Sequence, residues 1–257
     1  MIVPPLTWLY VPADRPDRVE KAIASRAHAV IVDLEDGVAA AAKERARANL
    51  PALLGRERAK PVYVRVNAGS AADLEAVAAL EIAGVVVPKV ERPADIPPGP
   101  AVNALIESAA GLEAAYEIAR QPQVAGISLG EADLRSQTGA LEAGLDWARG
   151  RIVNAAVAAG LPRPPQSVYP NIRDLDGLAE SCRRGRALGH LGRAAIHPDQ
   201  LPVIEQAFLP TEEEVERARE TIERLAAGTG TLEDGGFVDA AMLGAARQVV
   251  AIAERYG

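Results

Sequence analysis

The chain alternates short β-branched runs with longer alanine-rich stretches, and this alternation constrains its fold more than any other feature. The runs are 8–12 (WLYVP), 29–35 (AVIVDLE), 61–67 (PVYVRVN), 84–90 (GVVVPKV), 102–107 (VNALIE), 124–130 (VAGISLG), 166–170 (QSVYP) and 193–197 (RAAIH). Helical patterns follow at 16–26, 41–54, 71–81, 111–120, 144–159, 174–188 and 199–207. Parallel strands need a long crossover, usually a helix, so strand-then-helix alternation predicts a parallel sheet. The runs are apolar on both faces, as strands covered on both sides must be. Eight such runs point to an α/β fold of the TIM (β/α)8 barrel kind rather than an open sheet. The length agrees, since the chain has 257 residues and one such barrel takes about 250. Only ERPADIPPGP, after the fourth run, lacks a helix, because its prolines forbid one.

Beyond residue 210 the pattern changes. The stretch 211–227 (TEEEVERARETIERLAA) opens with Thr and acids, as a helix start does. GTGTLEDGG then reads as a loop, and 238–255 as a last helix. The expected organisation is a barrel over 1–210 and a C-terminal helical extension over 211–257. The apolar residues Phe237, Val238, Met242 and Leu243 need a surface to cover. Gly235 and Gly236 supply a hinge just before Asp239. A lid over a neighbouring subunit fits this pattern. The alternative is a tail folded on its own barrel, with Asp239 capping the last helix.

Composition narrows the function classes. Half the residues are apolar (49%), too many for a disordered chain. The net charge of −7 disfavours nucleic acid, whose nonspecific binding rests on basic surface. One cysteine, Cys182, cannot pair within the chain. No run reaches ~18 apolar residues, and no charged segment leads into an apolar one at the N-terminus. A cytoplasmic protein without a membrane segment is expected.

A barrel places its site at the C-terminal ends of its strands. There the sequence sets Asp33, Glu35 and Asp36 after run two, Arg65 and Asn67 in run three, Lys89 in run four, Glu107 in run five, and Glu131 and Asp133 after run six. Crowded carboxylates repel one another and call for a proton or a cation. Oxygen ligands without a His or Cys cluster suit Mg2+ or Mn2+. Glu107 and Asp133, on neighbouring strands at similar height, form the best metal pair. Arg65 shares a strand face with Tyr63 and Asn67. It either grips a substrate carboxylate through its fork or pairs with Glu35 or Asp36. Lys89 stands amid acids that keep it charged, which disfavours Schiff-base chemistry. No Ser–His–Asp arrangement surrounds His197, and His28 and His190 read as surface or core fillers. No GxGxxG follows the first run and no Walker pattern occurs, so nucleotide chemistry has no support.

Several segments carry a family resemblance. LYVPADRPDRVEKA, AVIVDLEDGVAAAAKERAR, VYVRVNA, VVVPKVE, ALIESAAGL, GEADLRSQTG and LGHLGRAAIHPDQL occur in that order. Together they resemble the citrate lyase beta-subunit-like family of the HpcH/HpaI aldolase superfamily, from about residue 7 to 210. The resemblance implies a TIM barrel in a homotrimer or hexamer. It also implies Mg2+-dependent cleavage or formation of a carbon–carbon bond in CoA thioesters such as malyl-CoA, citramalyl-CoA or citryl-CoA, with a small keto acid as the other partner. By the same resemblance Glu107 and Asp133 are metal ligands, and Arg65 holds the carboxylate of the keto-acid fragment. Glu35 and Asp36 match acids that bind the metal's waters, and Lys89 matches a charged donor. Arg15 falls where the family meets the CoA phosphates or pantetheine. Asp239 matches the acid or base that a neighbouring subunit supplies. Gln166 stands where the family carries an Asp, and the missing helix after run four opens the rim. Alternative functions are a metal-dependent aldolase acting on free hydroxy-keto acids, and a non-catalytic subunit that keeps the barrel.

Overall fold

The structure, a computed structural model, describes residues 3–55, 59–226, 230–231 and 236–257. The chain forms two compact units, one over Pro5–Ala207 and one that joins Phe208–Gly257 to residues 3–4.

The first unit opens with β1 (Thr7–Pro12), α1 (Pro16–Ala24), β2 (Ala29–Asp33), α2 (Lys43–Leu54), β3 (Val62–Arg65), α3 (Ala71–Val77) and β4 (Gly84–Val87). It continues with β5 (Val102–Ile106), α4 (Ala109–Glu113), α5 (Ala115–Ala119), β6 (Val124–Leu129), α6 (Glu131–Thr138), α7 (Asp146–Ala158), α8 (Leu175–Ala187), β7 (Arg193–Ala195) and α9 (Gln200–Phe208). The strands make one parallel seven-stranded sheet in the order β6-β5-β4-β3-β2-β1-β7. Chain order is thus spatial order, and the sheet curls with its first strand between β2 and β7. This is the α/β architecture that the alternation predicts. All of β2 and β4 is buried, as two-sided cover requires.

The expected strand at 166–170 is reduced to one parallel bridge between Gln166 and Arg193. Pro164 and Pro165 precede it and Pro170 follows, and each lacks the N–H a ladder needs. Gln166 keeps two main-chain bonds, donating to Gly192 O at 2.9 Å and accepting from Ala194 N at 3.0 Å. Across the gap to β6, Glu131 N lies 3.4 Å from Ser167 Oγ.

Other elements depart from their patterns for local reasons. The helix expected over 71–81 ends at Val77, and Ser70 caps it by accepting from Asp73 N at 3.2 Å. The pattern at 111–120 divides into α4 and α5. Helix α6 begins where the sequence suggests only a strand end. Two acids occupy its first turn, and Gly139, at φ +71°, ends it. After β4 only a short 3-10 turn forms, at Pro93–Asp95.

Inside the sheet Trp8, Ala29, Ile31, Val86 and Leu105 pack with Tyr10, Tyr63 and Ala194. The Trp8 and Tyr63 rings are 5.0 Å apart and tilted by 41°. These side chains fill the interior below the polar strand ends, so the cavity opens at the C-terminal ends.

In the second unit α10 (Glu212–Ala226) packs on α11 (Leu243–Tyr256). Between them β8 (Gly230–Thr231) pairs antiparallel with β9 (Phe237–Val238). The opening of α10 is a reciprocal cap: Thr211 Oγ1 accepts from Glu214 N at 3.1 Å, and Glu214 Oε2 from Thr211 N at 2.8 Å. Gly235, half of the expected hinge, lies outside the described residues.

Gln166 marks a tight place. A Cβ on Gly185 of α8 would lie 1.9 Å from its Cδ. Gly185→Ala is therefore expected to lower stability by about 1–3 kcal/mol, the usual cost of overpacking. Urea unfolding should show a lower midpoint at unchanged slope.

Candidate functional site

Register sets the first contact. Asp33 and Arg65 face each other at the ends of β2 and β3. Arg65 donates from Nε to Asp33 Oδ1 at 2.7 Å and from Nη2 to Oδ2 at 2.6 Å. Asp33 also accepts from Glu35 N at 2.9 Å and Gly37 N at 2.8 Å. Gly37 permits this approach, since a Cβ there would sit 2.4 Å from Asp33 Oδ2. Burial works against the guanidinium charge, but the hydrogen bonds and charge of Asp33, with Tyr10 and Glu35, more than offset it. The fork of Arg65 is thus occupied by a residue the sequence reading named on the rim but left out of the site.

A second set of contacts centres on Lys89. Its backbone is left-handed, at φ +56°. That conformation costs a residue with a side chain about 1–3 kcal/mol. Its N–H donates to Glu107 Oε1 at 2.8 Å, and its Nζ to Glu35 Oε1 at 2.6 Å. The hydrogen bond that Lys89 donates to Glu35 raises the Lys89 pKa and keeps the ammonium charged. Glu107 is buried just beyond β5. Gly130 makes room for it, since a Cβ there would meet Glu107 Cβ and Oε2 at 2.5 Å. Burial, then the charges of Asp133 and Glu35, push the Glu107 carboxyl from 4.5 up to about 7, against a smaller opposing pull from Lys89.

Two carboxylate oxygens accept no hydrogen bond among the described residues. Glu107 Oε2 accepts no hydrogen bond among the described residues. Glu35 Oε2 is buried and 2.9 Å from Arg65 Nη1, yet off the line of a hydrogen bond. Among the described residues no three His, Cys, Asp or Glu side chains converge as a ready ligand cage. That donor set fits a cation that binds through one or two carboxylates and keeps several waters, as Mg2+ does. It does not fit tetrahedral zinc.

The cavity encloses about 510 Å³. Asp33, Asp36, Arg65, Glu107, Glu131 and Asp133 line it, above an apolar floor that includes Ile31, Val86 and Leu105. Asp133 stands in the first turn of α6, not on a strand end, and is exposed. Arg149, 2% exposed, anchors that turn. It donates from Nε and Nη2 to Glu131 at 2.9 and 2.6 Å, and to Glu142 at 2.7 Å. Asp36 is exposed at the cavity. Arg15 is exposed, 3.9 Å from Asp17, and does not line the cavity. Arg18, one helical turn on, does. Spacing along the helix does not show this difference. Asp239 lies in the second unit, where its side chain accepts from Ala241 N at 2.8 Å and caps the turn Ala240–Met242. His197 accepts from Asp199 N at 3.3 Å. Burial pushes His190 down to about 4, as for a core filler.

A sequence model of the HpcH/HpaI aldolase/citrate lyase family matches residues 6–98 and 101–198. A citrate lyase subunit beta-like protein of Mycobacterium tuberculosis is 37% identical over 254 residues, which are 92% of this chain and 91% of that protein. A (3S)-malyl-CoA thioesterase of Cereibacter sphaeroides is 35% identical over 96% of this chain and 93% of its own. The crystal structure of CitE from Mycobacterium tuberculosis, in complex with magnesium, acetoacetate and coenzyme A, superposes with a TM-score of 0.83 at 35% identity. It covers 97% of this chain and 98% of that one. The chain belongs to the HpcH/HpaI aldolase/citrate lyase family, and its first unit has the family's TIM-barrel-like fold.

The raised Glu107 carboxyl predicts a pH signature in the metal-free protein. Folded Glu107 holds its proton up to about 7, whereas its ordinary value is 4.5. Its contribution to stability is therefore full below pH 4.5 and is lost as pH rises through about 7. Within that window each pH unit is worth up to about 1.4 kcal/mol. Glu107→Gln, neutral throughout, should match the native chain at about pH 5 and exceed it at about pH 8. Thermal unfolding in EDTA checks this, and parallel curves for the two proteins would contradict it.

Proposed function

We propose that this member of the HpcH/HpaI aldolase/citrate lyase family is a Mg2+-dependent carbon–carbon lyase. Its substrate is a 3-hydroxyacyl-CoA thioester of the malyl-CoA, citramalyl-CoA or citryl-CoA kind, which it cleaves to an acyl-CoA and a small keto acid, or forms in reverse. One observation carries the reading. A buried Glu107 with an open Oε2 and a carboxyl pushed up to about 7 faces the charge of Asp133 in a cavity whose arginine is already oriented. The magnesium, acetoacetate and coenzyme A bound to the CitE relative support the same chemistry.

Glu107 and Asp133 would hold the ion. When bound, Mg2+ supplies Lewis-acid polarisation of the carboxylate and neighbouring oxygen of the keto-acid portion. Arg65 keeps Nε and one Nη2 N–H on Asp33 and holds Nη1 beside Glu35 Oε2, and an N–H not engaged there meets the substrate carboxylate. Glu35 and Asp36 accept hydrogen bonds from waters at the site. Lys89 holds positive charge beside the developing oxyanion. Arg15, the N-cap residue of α1, and Arg18, in its first turn, meet the CoA phosphates. In the cleavage direction a base takes the 3-hydroxyl proton, the carbon–carbon bond breaks, and its electrons move into the thioester enolate. A proton then returns to that carbon. Asp239 is the group for this proton transfer, brought by the C-terminal extension of a neighbouring subunit in a homotrimer or hexamer. A lid of this kind keeps water from the enolate. A free, buried Cys182 suits a cytoplasmic setting.

Thioester hydrolysis is the second reading, favoured by the malyl-CoA thioesterase relative. Products separate the two. Incubation with Mg2+ and each thioester should release a keto acid and an acyl-CoA, detected by mass spectrometry, and EDTA should stop it. Free CoA with the intact hydroxy acid would establish the thioesterase instead. Glu107→Gln should lower kcat/KM by about 100-fold or more, and Arg65→Lys by more than about 10-fold, since the fork is lost while the charge stays.

The shared-site assignment has its own test. Mixed under subunit exchange, inactive Asp239→Asn and Glu107→Gln proteins should recover part of the activity. No recovery despite proven exchange would confine each site to one chain.

A further inference from the structure

Lys89 is the one non-glycine residue with a left-handed backbone among the described residues. Its place in the sheet shows what the strain accomplishes. The chain leaves the β5 ladder after Val87, paired with Ala104, and rejoins it at Val90, whose N–H meets Leu105 O at 3.2 Å. Pro88 and Lys89 form the excursion between. Proline has no N–H to offer, so Lys89 carries the one main-chain donor of that excursion. The left-handed turn takes this donor out of the ladder and puts it on Glu107 Oε1 at 2.8 Å. The side chain of the same residue reaches Glu35 Oε1 at 2.6 Å. Both acids therefore have Oε1 held by Lys89 and Oε2 without a hydrogen bond. Strain of this kind persists only where the surroundings over-determine it, and it concentrates at functional sites.

We infer that Lys89 is a positioning residue for both acids at once. Its main chain aims Glu107 and leaves Oε2 of that carboxylate turned to the cation, while its ammonium holds Oε1 of Glu35, whose Oε2 is buried 2.9 Å from Arg65 Nη1. This rests on the Mg2+ reading of the site given above. It differs from a role in which Lys89 acts only as a charge toward substrate, because one of its two contacts is made by the backbone.

Two variants without the ammonium separate the two contacts. Glycine adopts the left-handed turn freely, whereas a β-branched residue resists it. Titration calorimetry with Mg2+ alone should find Lys89→Gly within about threefold of the native affinity, and Lys89→Val weaker by about tenfold or more, the usual loss when a ligand's orienting partner goes. Lys89→Gly should also melt above Lys89→Val. Should Lys89→Val fail to fold, Lys89→Ala takes its place, since its Cβ also disfavours the turn. With a thioester substrate, Lys89→Gly should lose kcat by about tenfold while KM stays within threefold, and Lys89→Arg should restore most of the loss. Native protein that binds Mg2+, with Lys89→Gly and Lys89→Val (or Ala) binding it equally, would overturn the main-chain role. Unchanged kcat in Lys89→Gly would overturn the ammonium role. Absence of Mg2+ binding by the native protein would instead overturn the function proposed above, and this inference with it.

Discussion

Mutual repulsion among carboxylates governs this site. Asp33, Glu35 and Glu107 are buried together at the C-terminal end of one sheet, with Asp133 close enough to raise the Glu107 carboxyl. Arg65 and Lys89 answer part of that charge. Arg65 gives its fork to Asp33, and Lys89 divides its two donors between Glu35 and Glu107. What remains is a deficit of positive charge centred on Glu107. A proton relieves it at low pH, and a divalent cation relieves it without giving up the carboxylate. The same imbalance that destabilises the bare site would give a cation its affinity under the proposed function.

The backbone has been shaped to this charge arrangement. Gly37 lets the main chain close over Asp33, and Gly130 lets Glu107 rise against the start of α6. Lys89 takes an unfavourable conformation that puts its amide on Glu107 Oε1. Farther out, Arg149 ties Glu131, Glu142 and Asp146, the last of which also accepts from Arg184 at 3.0 and 2.6 Å. The buried centre of this network, Arg149 on Glu131, holds the first turn of α6, which also carries Asp133. A network of this kind is costly to break, because removing one partner leaves a buried charge unanswered.

The legible parts of the site were those that single residues announce. Glu107, Asp133, Arg65 and Lys89 stand out as charged groups at the ends of apolar runs, and the structure brings all four to one end of the sheet. Asp33 was harder to single out in a run of acids, because only cross-strand register shows which acid meets Arg65. Helix α6 was missed because its eight residues follow β6 without a loop, and its pattern is too short to show a period. Arg18 lines the cavity while Arg15, three residues before it, is exposed outside the lining, a difference that spacing along the helix does not show. The strand at 166–170 was over-read, because its apolar residues outweighed the prolines around it.

The sequence by itself determined the class of fold and the end of the sheet where chemistry is possible. Two-sided apolar runs must be covered on both faces, parallel runs need helical crossovers, and polar residues can gather only where the strands stop. These are local consequences of hydrogen bonding and burial, and each is written within a few residues of chain. Only the tertiary structure decided which donor holds which acid. The pairing of Asp33 with Arg65 depends on the register of two strands some thirty residues apart, and the amide of Lys89 reaches Glu107 only because the chain is bent there into a conformation its side chain disfavours. No residue type announces such contacts, because they arise from distances set by the whole sheet.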